Sequence, residues 1–195
     1  MPNKIKYGLK NVYYAVATID SNGGATYATP VAIPGAVNLS MEPQGESTPF
    51  YADNIVYYMG VANNGYQGDL EIALIPEAFK KDILGYIESA NKLLAEDAAA
   101  EPVHFALLFQ FEGDSKAVRH VLYNCVAQRP AVTGATKEES VTPQTETLTL
   151  TATSIYVSAL TKDIVKAETD SNTTSTVYDG WFTAVVQPTA PAVTT

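Results

Sequence analysis

The chain has 195 residues, 46 % of them hydrophobic and only 17 % charged, with a formal net charge of −9. This length suits one domain whose core needs no disulfide or metal, and the ordinary hydrophobic fraction excludes disorder along the whole chain. The acid excess argues against binding nucleic acid through neutralised phosphates, which takes clustered Lys and Arg; one cysteine, Cys125, excludes an internal disulfide and reads as a buried, inert thiol.

Twelve tyrosines, with much Thr and Val, suit pleated, half-buried surfaces. A surface poor in charge and rich in Tyr also suits contact with partners. The opening MPNKIKYGLK has no apolar stretch of the signal-peptide kind. No run of 18 apolar residues occurs, so no membrane partner is expected.

In chain order, the first strand is predicted over about 5–19, apolar on both faces: Val12, Tyr14 and Val16 on one, Tyr13, Ala15 and Ala17 on the other. Ser21-Asn22-Gly23-Gly24 ends it. Residues 30–50 are rich in Pro and Gly, with room for a short strand near 36–41. The stretch 41–54, MEPQGESTPFYADN, reads as a long loop or extended arm. A strand follows over 55–61, then a turn at Asn63-Asn64-Gly65. Over 66–75, Leu70, Ile72 and Leu74 alternate with Asp69, Glu71 and Ala73. Pro76 opens a helix over about 77–84, with Phe79, Ile83, Leu84 and Ile87 at helical spacing. Residues 86–100 read equally as more helix or an irregular excursion.

Strands are predicted over 103–112, with Phe105, Leu107, Phe109 and Phe111 on one face, and over 117–128, joined by a turn at 112–115. In the second, Val118, Leu122 and Val126 alternate with Arg119, Tyr123 and Cys125. After a turn-rich stretch at 130–143, residues 144–153 alternate Leu148, Leu150 and Ala152 with a row of threonines. Residues 163–167 read as a short strand, Trp181 with Tyr178 and Phe182 as an anchor for the end segment, and the last residues as a flexible tail over 188–195.

Catalytic constellations are sparse. His104 and His120 fall roughly opposite each other on the predicted 103–128 hairpin, but no carboxylate or Cys at ligand spacing completes a metal site. Glu42, Glu46, Asp53, Asp69 and Glu71 cluster in sequence, and Asp69 and Glu71 share a strand face; a solvated acidic face explains them better than a glycosidase pair. No catalytic residue, cofactor or metal is assigned, and the chain is read as a non-enzyme.

The segments NKIKYGLKNVYYAV (3–16), TPVAIPGAVNLSMEPQGESTPFYADN (29–54) and GYQGDLEIALIPEAFKKDILG (65–85) resemble the major tail protein of long-tailed phages with non-contractile tails, the siphophages. RHVLYNCVAQRP (119–130), TKEES (136–140), QTETLTL (144–150) and YDGWF (178–182) continue the resemblance in the same order. It implies a mainly β fold, a β-sandwich or half-barrel with one flanking α-helix, as a single tail-tube domain over 1–187. It also implies hexameric rings stacked into a tube, with the loop at 41–54 and arms at 1–9 and 163–187 reaching neighbouring subunits.

Tape-measure, tail-tip and tail-terminator proteins are the implied partners, in a virion tail assembled in the host cytoplasm. On this reading Tyr7, Pro49, Phe50, Tyr51, Trp181 and Phe182 are candidate inter-subunit contacts. Glu42, Glu46, Asp69, Glu71 and Glu146 are candidate lumen carboxylates, whose repulsion lets DNA pass without sticking. The competing reading is a monomeric β-sandwich that binds carbohydrate or decorates the virion surface, with one concave aromatic patch.

Overall fold

A computed structural model describes residues 3–136 and 143–191. The chain is mainly β, in keeping with its Val, Thr and Tyr content. β1 (Lys6–Ile19) is followed by β2 (Ala25–Tyr27) and β3 (Val31–Ala32), which both pair back onto it. β4 (Ala36–Pro43) leads into a separate hairpin of β5 (Ser47–Ala52) and β6 (Ile55–Val61). Next come β7 (Tyr66–Ile72), helix α1 (Glu77–Asp82) and a small hairpin of β8 (Tyr86–Glu88) and β9 (Leu94–Glu96). β10 (Phe105–Gly113) and β11 (Val118–Ala127) form the central hairpin. β12 (Glu146–Thr153), the pair β13 (Ile155–Val157) and β14 (Lys162–Ile164), β15 (Lys166–Glu168) and helix α2 (Ser175–Asp179) complete the chain.

The principal sheet is antiparallel, in the order β2-β1-β10-β11-β12-β7-β4, with β3 also on β1 and β15 also on β11. β1 and β4 stand far apart in that order, yet Val12 of β1 and Leu39 and Met41 of β4 pack into one core. The sheet therefore curls into a half-barrel, and it does not close. Gly65 and Gly68 let β4, β7 and β12 approach. A Cβ on Gly65, whose φ is +98°, would lie 2.0 Å from the Ala152 carbonyl oxygen, and one on Gly68 would lie 1.9 Å from that of Ser40.

Two apolar clusters flank the central strands. On the concave side Tyr14, Leu70, Ile72, Phe105, Leu107, Leu148 and Leu150 pack together, and α1 drives Phe79 into them. The Phe79 ring meets Tyr14 and Phe105 edge-on, at 5.0 and 5.5 Å, and so plugs one end of the half-barrel. On the other side Ala15, Ala106, Leu108, Val121 and Tyr123 meet Ile155, Val157 and Trp181. Strands β1, β10 and β11 are thus buried on both faces, which is why they read as nearly continuous apolar runs.

Several expectations are corrected. The helix expected over 77–84 ends at Asp82, because Ile83 and Leu84 turn into the core and Gly85 follows with φ +71°. Residues 86–100 hold the β8–β9 hairpin, with Ser89 hydroxyl and backbone bonds to Leu93 closing its turn. The stretch 41–54 holds the end of β4 and the first strand of the β5–β6 hairpin. A second helix, α2, lies in the end segment; its five residues are too few to show a period.

Leu122 and Cys125, expected on opposite faces, share the concave core because a β-bulge in the β10–β11 ladder resets the alternation. His104 and His120 are not opposite: His120 pairs with Phe109, while His104 Nδ1 lies 2.6 Å from Asn124 Oδ1. The loop between the strands extends to Ala117, so the register runs further than the Gly113-Asp114 turn implied. Residues 137–142 of the turn-rich stretch and 192–195 of the flexible tail lie outside the described residues, as do Met1 and Pro2.

Candidate assembly surfaces and acidic face

The β5–β6 hairpin is the chain's most unusual surface. Its register pairs Pro49 with Met59 and Phe50 with Tyr58, but it belongs to no larger sheet. Phe50 is 60 %, Tyr57 70 %, Tyr58 67 % and Val61 78 % exposed, and Tyr51, Ile55, Val56 and Met59 are exposed beside them. The hairpin's one charge is Asp53, at the turn, where Asp53 and Asn54 both take the left-handed conformation. A lone two-stranded hairpin is marginally stable in water, and contiguous apolar surface of this kind marks an interaction site.

Among the residues expected to contact neighbours, Pro49, Phe50 and Tyr51 lie here. The larger share of this exposed apolar surface lies on β6. Its signal is in the sequence: IVYYMGV has no polar alternation, so neither face is written for water.

The convex face of β4, β7 and β12 is polar. Period-two alternation puts Asn38, Ser40 and Glu42 of β4, Gln67, Asp69 and Glu71 of β7, and Thr147, Thr149 and Thr151 of β12 on that side. Cross-strand hydroxyls orient the acids: Thr149 Oγ1 donates to Asp69 Oδ1 at 2.7 Å, and Thr145 Oγ1 to Glu71 Oε1 at 2.6 Å. Three of the five acidic candidates, Glu42, Asp69 and Glu71, therefore share one face. Glu46 sits apart, at the hairpin base, where its carbonyl accepts the Ala62 amide. Glu146 points the other way, with the buried Leu148 and Leu150, and its carboxylate accepts the Ile75 amide. It caps the turn that leads into α1.

The remaining contact candidates separate by burial. Tyr7 is exposed on β1 opposite Glu112. Trp181 is 4 % exposed in the chain's own second core, its Nε1 donating to the His120 carbonyl at 3.3 Å. Phe182 stacks on Tyr13 at 4.9 Å. Arg119 lies over the Tyr178 ring at 3.8 Å and donates to the Tyr178 carbonyl. Tyr123 donates to the Val186 carbonyl and Gln187 to that of Ala25. These bonds strap the segment expected as a C-terminal arm against its own body.

Burial is the main cause of the larger pKa shifts among the described residues. Burial pushes the Cys125 thiol up to about 12, which favours the protonated thiol. Burial also raises Tyr14, Tyr27 and Tyr123 above the ordinary phenol value, and Tyr14 donates to Asp82 of α1. It lowers His120, against the smaller opposing pull of Glu168. Among the described residues, no group of three or more His, Cys, Asp and Glu is placed to hold a metal. No described helix is long and apolar enough to cross a membrane.

The chain is thus a mainly β half-barrel with an exposed apolar hairpin and one broad acidic, hydroxyl-lined face. A family model described as phage tail tube protein matches residues 2–187, and the chain belongs to that family. No curated protein matches the sequence. Membership makes the chain a structural component of the phage tail.

Proposed function

We propose that the chain assembles with copies of itself into hexameric rings that stack into the tail tube, the conduit through which DNA passes from head to host. It does so without catalysis, in the host cytoplasm, with tape-measure, tail-tip and tail-terminator proteins as partners. The observation that carries this reading is the β5–β6 hairpin, which offers Phe50, Tyr57 and Tyr58 to a neighbour and finds no cover among the described residues. β4 supports it as the edge of the principal sheet, open to pairing with another subunit. The convex face with Glu42, Asp69 and Glu71 is the proposed lumen wall, where fixed carboxylates repel the phosphate backbone and prevent the counterion release that would hold DNA.

Electron microscopy of the purified chain across a concentration series tests the assembly. Wild-type protein is expected to form stacked rings or hollow tubes, and the double variant Phe50→Ser, Tyr58→Ser to stay dispersed. Dispersed wild-type protein at every concentration, even with tape-measure and tail-tip proteins added, would refute the reading.

A further inference from the structure

Phe79 plugs one end of the half-barrel; the other end is open. There a groove of about 370 Å³ lies between β4 and β7 on one side and β10, β11 and β15 on the other. Its origin is a fork in the sheet. One edge of β11 pairs with β12 over Asn124–Ala127 and with β15 over His120–Leu122, so β12, β7 and β4 splay away from β11. The wedge is lined by the partly buried Leu39, Met41, Tyr66 and Phe111, with the buried Phe109 and Leu122 at its floor.

Its rim is basic in a chain whose net charge is −9. Lys6 Nζ stands 4.6 Å from the Phe111 ring centre and Lys166 Nζ 5.2 Å from that of Tyr66. The one rim carboxylate, Glu168, lies 3.2 Å from His120 Nδ1 and is outnumbered by the two lysines.

We propose that this groove receives the β5–β6 hairpin of a neighbouring copy, with Phe50 and Tyr58 closing the end of the half-barrel that the chain leaves open. The inference rests on the tube reading above and names the surface that accepts the hairpin. The two surfaces match in shape class and charge. An aromatic pair on a two-stranded ribbon suits an open apolar wedge, and the hairpin's one charge, Asp53, complements Lys6 and Lys166. The chain's own hairpin leaves the groove free, since Phe50 and Tyr58 stay exposed. Hairpin and groove are different surfaces of one subunit, so the contact is heterologous: each copy that receives a hairpin offers its own to the next, and the contact propagates.

The test is disulfide cross-linking of full-length chains in assembled tails, with Tyr58→Cys paired with Lys166→Cys at the groove rim. Cys125 is buried and stays out of the exchange. Oxidation is expected to shift the monomer band to a ladder of covalent oligomers. The control pair Tyr58→Cys with Lys92→Cys, on the β8–β9 hairpin, is expected to leave monomers. Tubes that form without a ladder from the groove pair, or with an equal ladder from the control, overturn the groove assignment and leave the tube reading standing.

Should the cysteine chains fail to assemble, a charge swap decides. Lys6→Glu with Lys166→Glu is expected to abolish tubes, and adding Asp53→Lys to restore them. Tubes unaffected by the first change, or not restored by the second, overturn the proposal.

Discussion

The β10–β11 and β5–β6 hairpins are built from similar apolar material and end in opposite environments. FALLFQ of β10 is buried throughout, whereas IVYYMGV of β6 is exposed along nearly its whole length. Composition does not separate them. For β10 the chain supplies cover on both sides, α1 and the curled sheet on one, β13 and the Trp181 segment on the other. For β6 the described residues supply none beyond its partner strand β5. An apolar run is a demand for cover and does not say which chain will meet it.

The largest effects should come from breaking cover that the chain gives itself. Trp181→Ala removes the anchor of the end segment and should cost about 3–5 kcal/mol, and Leu107→Ala about 2–5 kcal/mol, measured by urea unfolding of the monomer. The Phe50→Ser, Tyr58→Ser double variant should stay within about 0.5 kcal/mol of wild type in the same assay, because its side chains face water in the monomer. A hairpin variant as costly as Leu107→Ala would remove the contrast between the two hairpins.

Alkaline pH probes the same difference through ionisation. Cys125 is held up to about 12 from an ordinary 9.0, and Tyr14, Tyr27 and Tyr123 are raised as well, all chiefly by burial. The folded chain keeps these protons while the unfolded chain releases them. The unfolded state therefore binds fewer protons above the ordinary thiol and phenol values, and stability falls as pH rises through that window. Urea midpoints that are flat from neutral pH to beyond 10.0, the ordinary phenol value, would contradict the burial of these groups.

The smallest structural effect is expected on the convex face. Asp69→Lys with Glu71→Lys should leave tubes intact and slow DNA ejection, since these side chains sit on a solvent face and their partners are threonine hydroxyls. Unchanged ejection from intact tails would remove these two carboxylates from the lumen wall.

How far the sequence reached depended on the range of the cause. The turn at Gly23-Gly24, strands β1, β7, β10 and β12, and the start of α1 after Pro76 follow from local rules and stand in the structure, whereas Asn63-Asn64-Gly65 runs as a connection bonded to Gln44. The acidic row was half legible. Period two placed Asp69 and Glu71 together, and pairing with β4 added Glu42 beside them. Glu146 stood on the far side because it follows the phase of Leu148 and Leu150, a parity readable from the sequence itself.

By itself, the sequence determined a mainly β chain, its principal strands, one helix and its resemblance to tail tube proteins. Those follow from side-chain period and turn chemistry, which act over a few residues, and from ordered segments along nearly the whole chain. Tertiary structure alone decided what covers what. It put Trp181 inside, separated His104 from His120 through a longer loop, reset β11 at a bulge and strapped the end segment to the body. It also left β6 bare and the half-barrel open at one end. Each outcome turns on which distant element reaches a given face, and an apolar residue carries no record of that partner.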